Sequence, residues 1–236
     1  VIPHLSVIVP AYNEARRLPD CLYRLHRYLE HQPYRYEIIV VNNGSSDATA
    51  EICARHAQVY NHFRWASTDQ RGKGLAVRIG MLAAEGKFRY MCDCDLSTPP
   101  EEIGRFLEMA LQYDVVIGSR EIVREIVTTK LTRRITGRVL HALVSDLAPN
   151  VQDTQCGFKM FRDYAAMALF SQMTINSVAF DVEAIYLARL LAYTLKELPV
   201  QWTHDNDSRM GLRDGLAFAW DVLNIPLNHL KIKLPA

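Results

Sequence analysis

No run in these 236 residues is long and apolar enough to cross a bilayer. The longest stretch without charge, Tyr164 to Phe180, carries Ser171, Gln172, Thr174, Asn176 and Ser177, too polar for a membrane helix. No signal-peptide pattern is seen. The chain opens at Val1 almost inside its first strand, which suggests a domain excised from a longer protein, with any anchor outside these residues. An excess of one charge sign is lacking too. The 27 Lys and Arg against 26 Asp and Glu leave +1, so bulk charge gives no reason to expect nucleic acid as a partner. Five cysteines (Cys21, Cys53, Cys92, Cys94, Cys156) are odd in number and scattered, without a CxxC pair. That excludes a disulfide scaffold and a zinc ribbon and favours reduced thiols in a cytosolic setting. Repeats, low-complexity tracts and a linker-like composition shift are absent, so one domain over 1–236 is expected.

What is present is an alternation of two periods. Leu5–Val9 and Glu37–Val41 are continuous apolar, β-branched runs, as in strands buried on both faces of a parallel sheet. Between them Leu18, Leu22, Leu25 and Leu29 recur at helical spacing. Further strands are expected near His62–Ala66, Phe88–Asp93 and Asp114–Ile117, and helices at Ser46–His56, Gly74–Glu85 and Pro100–Leu111. Strands alternating with helices of this length imply an α/β fold: an open, mostly parallel, Rossmann-like sheet flanked by helices. After a basic segment from Glu121 to Val144 come DTQCGFKMF (Asp153–Phe161), a helix around Phe180–Leu191, a strand near Leu195–Trp202 and a helical segment from Gly211.

In such a sheet ligands sit at the carboxyl ends of the strands. Pro10–Glu14, Asn42–Asp47, Asp93–Asp95 and Gly118–Arg120 all fall there, on one rim. Asp93-Cys94-Asp95 closes an apolar strand, and alternate residues face the same way, so both carboxylates can meet one hard cation such as Mg²⁺ or Mn²⁺. Taken alone, the pair reads equally well as solvated loop acids. Gly44 suits a turn with positive φ, and Ser45 or Ser46 a helix cap. PAYNE after the first strand is no glycine-rich phosphate loop, which argues against a nucleotidyltransferase.

These motifs resemble glycosyltransferase family 2, with its GT-A fold. The resemblance is greatest to the branch that transfers sugar to polyprenyl or dolichyl phosphate, especially the dolichyl-phosphate β-glucosyltransferases. Val7–Glu14, Ile39–Asp47, Arg71–Gly74, Asp93–Pro100, Val116–Arg120, Asp153–Phe161, Phe180–Glu183 and Glu197–Arg209 carry it, in the family's order. The resemblance implies an inverting transfer of a hexose, glucose first, from a nucleotide diphosphate sugar to a lipid phosphate at a membrane surface. It implies a peripheral enzyme on the cytoplasmic face. The nucleotide-sugar half would be 1–120, the acceptor half 121–210, and 211–236 a C-terminal amphipathic segment. Pro10, Ala11, Tyr12, Glu14 and Asn42 would surround the base and ribose, with Lys73 near the donor. Asp93, Cys94 and Asp95 would meet the ribose, diphosphate and metal. Arg120, Arg134, Arg138 and Arg209 would hold the acceptor phosphate, with Asp153 counted among the catalytic group. The family's usual Asp is Asn42 here. An amide adds a donor and loses charge, which suits uracil better than guanine. Position 97 is Ser where mannosyl-transferring relatives often have Gln, and Ser208-Arg209 replaces a more usual Ser-Lys.

Two segments also speak for themselves. Arg120, Arg124, Lys130, Arg133, Arg134 and Arg138 are interleaved with Ile122, Ile126, Leu131, Ile135 and Val139. Arg134 and Arg138 share a helix face, which with Arg120 makes a phosphate clamp, although a solvated face explains part of the run. Leu212, Leu216, Trp220, Leu223, Leu227, Leu230 and Leu234 form one stripe. The first half is expected to pack on the domain, with Pro226 breaking or kinking the helix and the remainder open to a membrane role. Three alternatives stay open: GDP-mannose as donor; a sugar-hydroxyl acceptor, which needs a base such as His204, Asp205 or Asp153; and a nucleotide-sugar-binding domain without catalysis.

Overall fold

The computed structural model describes residues 2–120, 144–202 and 212–232, the side chains of 212–214 apart. Strand β1 (Leu5–Ala11) is buried along its whole length and sits centrally in a seven-stranded sheet. Its companions are β2 (Tyr36–Asn43), β3 (Phe63–Thr68), β4 (Phe88–Met91), β5 (Val115–Ser119), β6 (Lys159–Arg162) and β7 (Leu195–Pro199), in the order β3-β2-β1-β4-β6-β5-β7. All pairings are parallel except the two that β6 makes, with β4 and β5.

The continuous apolar runs now have their reason. Alternate residues of β1 and β2 serve opposite faces: Val7, Val9, Ile38 and Val40 enter one core, while Ile8, Ile39 and Val41 enter the other. Helices α1 (Leu18–Leu29), α2 (Thr49–Val59) and α4 (Ile103–Ala110) cover the first face, with Leu22, Leu25 and Phe106 wholly buried. Helices α3 (Lys73–Ala83), α5 (Asp163–Gln172) and α6 (Phe180–Leu190) cover the second. Each such side chain contributes about 1.5–3 kcal/mol by leaving water, so a polar residue at any of them works against the fold. The helix expected from Pro100 starts as a short 3₁₀ turn before α4.

Three elements differ from the sequence expectation. Strand β6 and helix α5 are not signalled by periodicity. KMFR is only four residues and carries two charges, and the charge-free run that becomes α5 shows no helical stripe broad enough to stand out. The last helix, α7 (Leu212–Asn228), runs through Pro226 instead of breaking there. Its packing face is also not the expected one. Phe218, Val222 and Ile225 bury themselves against Ile175, Ala179 and Val182, whereas Leu216, Trp220, Leu223 and Leu227 point outward. Asp221 accepts a 2.6 Å bond from Ser177, and His229 lies 2.8 Å from the buried Glu183 carboxylate, which fixes α7 to the 174–183 segment. No helix among the described residues is long and apolar enough to span a membrane.

Candidate active site

The parallel strands deliver their carboxyl ends to one rim, and a cleft of about 360 Å³ opens there. Pro10, Ala11, Tyr12, Glu14, Arg17, Asn43, Lys73, Asp93, Cys94, Asp95 and Val178 line it. The two loops after β1 and β2 are stitched together before they meet any ligand. The Asn13 amide donates to Ser45 Oγ at 2.9 Å, and Asn13 Oδ1 accepts from the Ser46 amide at 2.8 Å. Asp47 accepts from the Ala15 amide with one oxygen and from Thr49 with the other. Asp47, not either serine, therefore satisfies the first amide of α2, one residue ahead of the N-cap Ala48, and these bonds hold its carboxyl below the ordinary value despite the opposing effect of burial. Gly44 has φ +66°, as its turn requires. Asn13, at φ 52°, takes the same left-handed conformation opposite it.

Asp93 and Asp95 follow β4 in a tight turn, closed by the Leu96 amide on the Asp93 carbonyl at 3.1 Å. Leu96 sits at φ 47°, a conformation that costs a branched residue on the order of 1–2 kcal/mol. Asp95 Oδ1 accepts from the Ser97 amide at 2.9 Å. Asp93 Oδ1 lies 2.5 Å from Lys73 Nζ, the first residue of α3. Both side chains are enclosed by protein yet still reached by solvent through the cleft, at 37 % and 29 % exposure.

Behind this pair lies a second one. Lys159 Nζ donates to Asp181 Oδ1 at 2.5 Å and to the Cys156 carbonyl at 2.5 Å, in nearly complete burial. Four charges of alternating sign thus share one neighbourhood. Burial would raise the Asp93 carboxyl, but Lys73, Lys159 and Arg120 outweigh it and hold it low. Burial would lower the Lys73 ammonium, but Asp93 and Asp181 together raise it. For Asp181 burial prevails and the carboxyl is raised even beside Lys159. Gly157 touches the same point: a Cβ built there would stand 2.2 Å from Asp93 Oδ2. Hence DTQCGFKMF and FDVE wall in the first aspartate. The sequence motifs contained Gly157, Lys159 and Asp181, but without a contact map no role could be attached to them.

Arg120, at the end of β5, makes a two-pronged pair with Asp153: Nε to Oδ2 at 2.7 Å and Nη2 to Oδ1 at 2.8 Å. The Arg120 amide adds a third bond to Asp153, whose own amide is held by Glu197 at 2.8 Å. Although burial works the other way, the guanidinium keeps the Asp153 carboxyl low. With both oxygens committed, Asp153 orients Arg120 and has no lone role as a base. The Arg120 guanidinium also lies 5.7 Å from the Trp202 ring centroid.

Of the sequence-proposed residues, the structure brings Pro10, Ala11, Tyr12, Glu14, Lys73, Asp93, Cys94 and Asp95 to one cleft. Asn42 is buried, its amide donating to Ser67 Oγ at 3.0 Å, and the neighbouring Asn43 is the one on the cleft wall. Arg17 and Arg71 were not singled out as site residues. Arg17 grips the Glu14 carboxylate at 2.6 and 2.7 Å, and Arg71 stacks over the Tyr12 ring at 4.1 Å. Arg134, Arg138, His204, Asp205 and Arg209 lie outside the described residues. Among the described residues no cluster of three acid, His or Cys side chains could hold a metal. Two carboxylates on one cleft do fit a hard divalent cation whose remaining oxygen ligands come from substrate phosphate and water.

Comparison with known proteins follows the same lines. Residues 6–170 match the model for glycosyl transferase family 2. The dolichyl-phosphate β-glucosyltransferase of Drosophila melanogaster is 36% identical over 225 residues, covering 87% of this chain and 69% of the fly protein. The human protein of the same name is 33% identical over 246 residues, covering 96% of this chain and 76% of its own length. Among solved structures, glucosyl-3-phosphoglycerate synthase from Mycobacterium tuberculosis, in complex with Mg²⁺ and uridine diphosphate, is similar with a TM-score of 0.70. It covers 98% of this chain and 80% of the mycobacterial one at 18% identity, a likeness of fold.

Proposed function

This chain belongs to glycosyltransferase family 2, and from that premise we propose that it transfers glucose from UDP-glucose to a polyprenyl or dolichyl phosphate with inversion. The observation that carries this reading is the pairing of two phosphate-handling devices at the ends of β4 and β5, the two strands that flank β6. Asp93, Asp95 and Lys73 line the donor cleft, and Arg120, braced by Asp153, stands close enough for its charge to help hold Asp93 ionised. Relatives 33–36% identical that are named dolichyl-phosphate β-glucosyltransferases support the lipid acceptor and glucose.

The donor diphosphate needs positive charge as the sugar departs, and a divalent cation on Asp95 and Asp93 supplies part of it when bound. Lys73, at the positive N-terminal end of α3, supplies more. Arg120 orients the acceptor phosphate by its fork geometry, aided by Arg134, Arg138 and Arg209 as the family resemblance implies. A phosphate monoester has a second pKa of roughly 6, so it is largely dianionic at neutral pH and needs no base. This accords with an Asp153 already committed to Arg120. Attack from the face opposite the diphosphate inverts the anomeric carbon and gives a β-linked product. Tyr12, Glu14 and Asn43, at the end of β2, form the nucleotide end, and the amide of Asn42 behind it, in place of the family's usual Asp, favours uracil. The five free, buried thiols suit a reducing, cytoplasmic side of the membrane.

Asp95→Asn and Asp93→Asn are each expected to lower turnover by at least about a hundredfold, as is chelation of divalent metal. Calorimetry should give UDP a lower Kd than GDP. Full turnover of both variants in excess chelator would remove the metal-assisted reading, and tighter GDP binding would remove uridine.

A further inference from the structure

Helix α7 is apolar on two faces, and only one of them packs against the described residues. Phe218, Val222 and Ile225 are at most 3 % exposed, whereas Leu216, Trp220, Leu223, Leu227 and Leu230 are 51–77 % exposed. The spacing of four, three and four residues places Leu216, Trp220, Leu223 and Leu227 on one line of the helix, about 16 Å long, and Leu230 follows in the turn after it. No charged residue interrupts the line, and Lys231 follows its end. A stripe of this kind on a water-facing helix marks an interaction surface.

Its place in the fold tells which partner it fits. The buried face of α7 lies on the 174–182 segment, held by Ser177 to Asp221 and by Asn228 to Thr174. Val178 of that segment lines the donor cleft. The stripe is therefore the outer surface of the helix packed behind the segment that lines the cleft. Resting on the lipid-phosphate reading above, we infer that the outward face of α7 docks on the lipid bilayer and presents the cleft to acceptor phosphates at headgroup level. Leucines beside one tryptophan are the chemistry of a helix lying in the interface, where tips enter the acyl boundary by about 5–10 Å. A second copy of this chain fits less well. Four side chains along one helix edge, with Leu230 just past its end, offer on the order of 500 Å² per partner, against ~800 Å² for a stable protein interface.

The test uses vesicles of phosphatidylcholine with phosphatidylserine, carrying a long-chain polyprenyl phosphate, and in parallel a short, water-soluble polyprenyl phosphate. The double variant Leu223→Glu with Leu227→Glu alters only exposed positions. It should bind vesicles at least about tenfold more weakly. Transfer to the embedded acceptor should fall in step, while the UDP-glucose Kd and transfer to the soluble acceptor stay at wild-type values. Trp220 emission should shift to the blue when vesicles are added, and Trp220→Phe should abolish that shift. Unchanged vesicle binding by the double variant overturns the inference. So does a sedimentation result in which the wild type is a dimer that the variant breaks. If the wild type uses neither acceptor, the proposed function fails, and vesicle binding still decides the docking face on its own.

Discussion

The first aspartate of the Asp93–Asp95 pair is held by its neighbours far more tightly than the sequence spacing conveys. Lys73 holds one oxygen, and beside the other Gly157 leaves no room for a Cβ. Gly157 has no left-handed φ, so alanine there is tolerated by the backbone itself. Its Cβ nevertheless has to displace the Asp93 carboxylate. Gly157→Ala is expected to weaken UDP-glucose binding about tenfold while stability changes by roughly 1 kcal/mol or less. Isothermal titration beside a urea melt checks this; wild-type donor affinity would show that Asp93 does not hold the donor. A second residue-level expectation concerns Arg120. Its paired contact to Asp153 fixes the planar fork, and charge-assisted bonds contribute on the order of 1.5–3 kcal/mol. Arg120→Lys and Asp153→Asn should each raise the acceptor KM roughly tenfold or more, with the donor Kd unchanged. Weakened donor binding instead would assign Arg120 to the diphosphate. The sequence exposed the acids and the arginine because they stand at strand ends with unusual chemistry for a turn. It hid Lys159 and Asp181, since a lysine inside a strand and an aspartate inside a helix look like solvated charges until the fold brings them together.

At the scale of elements, strands and helices with long apolar repeats were legible: β1, β2, α1 and α3 fall within a few residues of their expected places. Short elements that borrow their stability from neighbours were not, as β6 and α5 show. The stripe of α7 was read correctly as a periodic face but assigned the wrong side. Periodicity reports that a face exists, and the shorter run of Phe218, Val222 and Ile225 is what the core selected. The ends of α1, α2 and β3 meet in a group of histidines that no motif announced. His26 Nε2 lies 2.8 Å from His56 Nε2, and His26 Nδ1 lies 3.1 Å from His62 Nε2, itself 3.0 Å from the Tyr36 hydroxyl. Burial first, then His56 and His62, lowers the His26 imidazole to about 4, and burial likewise lowers His56 and His62. A base depressed in the folded state is protonated first in the unfolded chain. Its stabilising contribution is therefore complete above the ordinary value near 6.5 and is lost as pH falls toward 4. For His26 this amounts to on the order of 3 kcal/mol. The carboxylates held low by partners, Asp93 and Asp153, lose their contribution only at more acidic pH. Urea midpoints taken between pH 7 and 4.5 should drop steeply, and His26→Phe should flatten the curve. A flat wild-type profile over that range would contradict the assignment.

For the whole molecule, the sheet gathers the proposed donor cleft and an arginine–carboxylate fork on one rim, and α7 packs behind the 174–182 segment, whose Val178 lines that cleft, with an apolar exterior. The fold and the gathering of polar residues on one rim could be read from the sequence because each strand end announces itself locally. The donor roles given to those residues rest on the family resemblance, whereas the spacing of Arg120, Arg134 and Arg138 suggested a phosphate clamp by itself. The central claim is that the attacking group is a lipid-borne phosphate. The direct measurement is a competition among acceptors with radiolabelled UDP-glucose and Mg²⁺: a polyprenyl phosphate, the corresponding polyprenol, and 3-phosphoglycerate, with the product's anomeric configuration read by NMR. The account predicts a β-linked glucosyl phosphate lipid from the first acceptor and at least about a hundredfold slower transfer to the other two. Equal or faster transfer to the polyprenol or to 3-phosphoglycerate, or an α-linked lipid product, would contradict it.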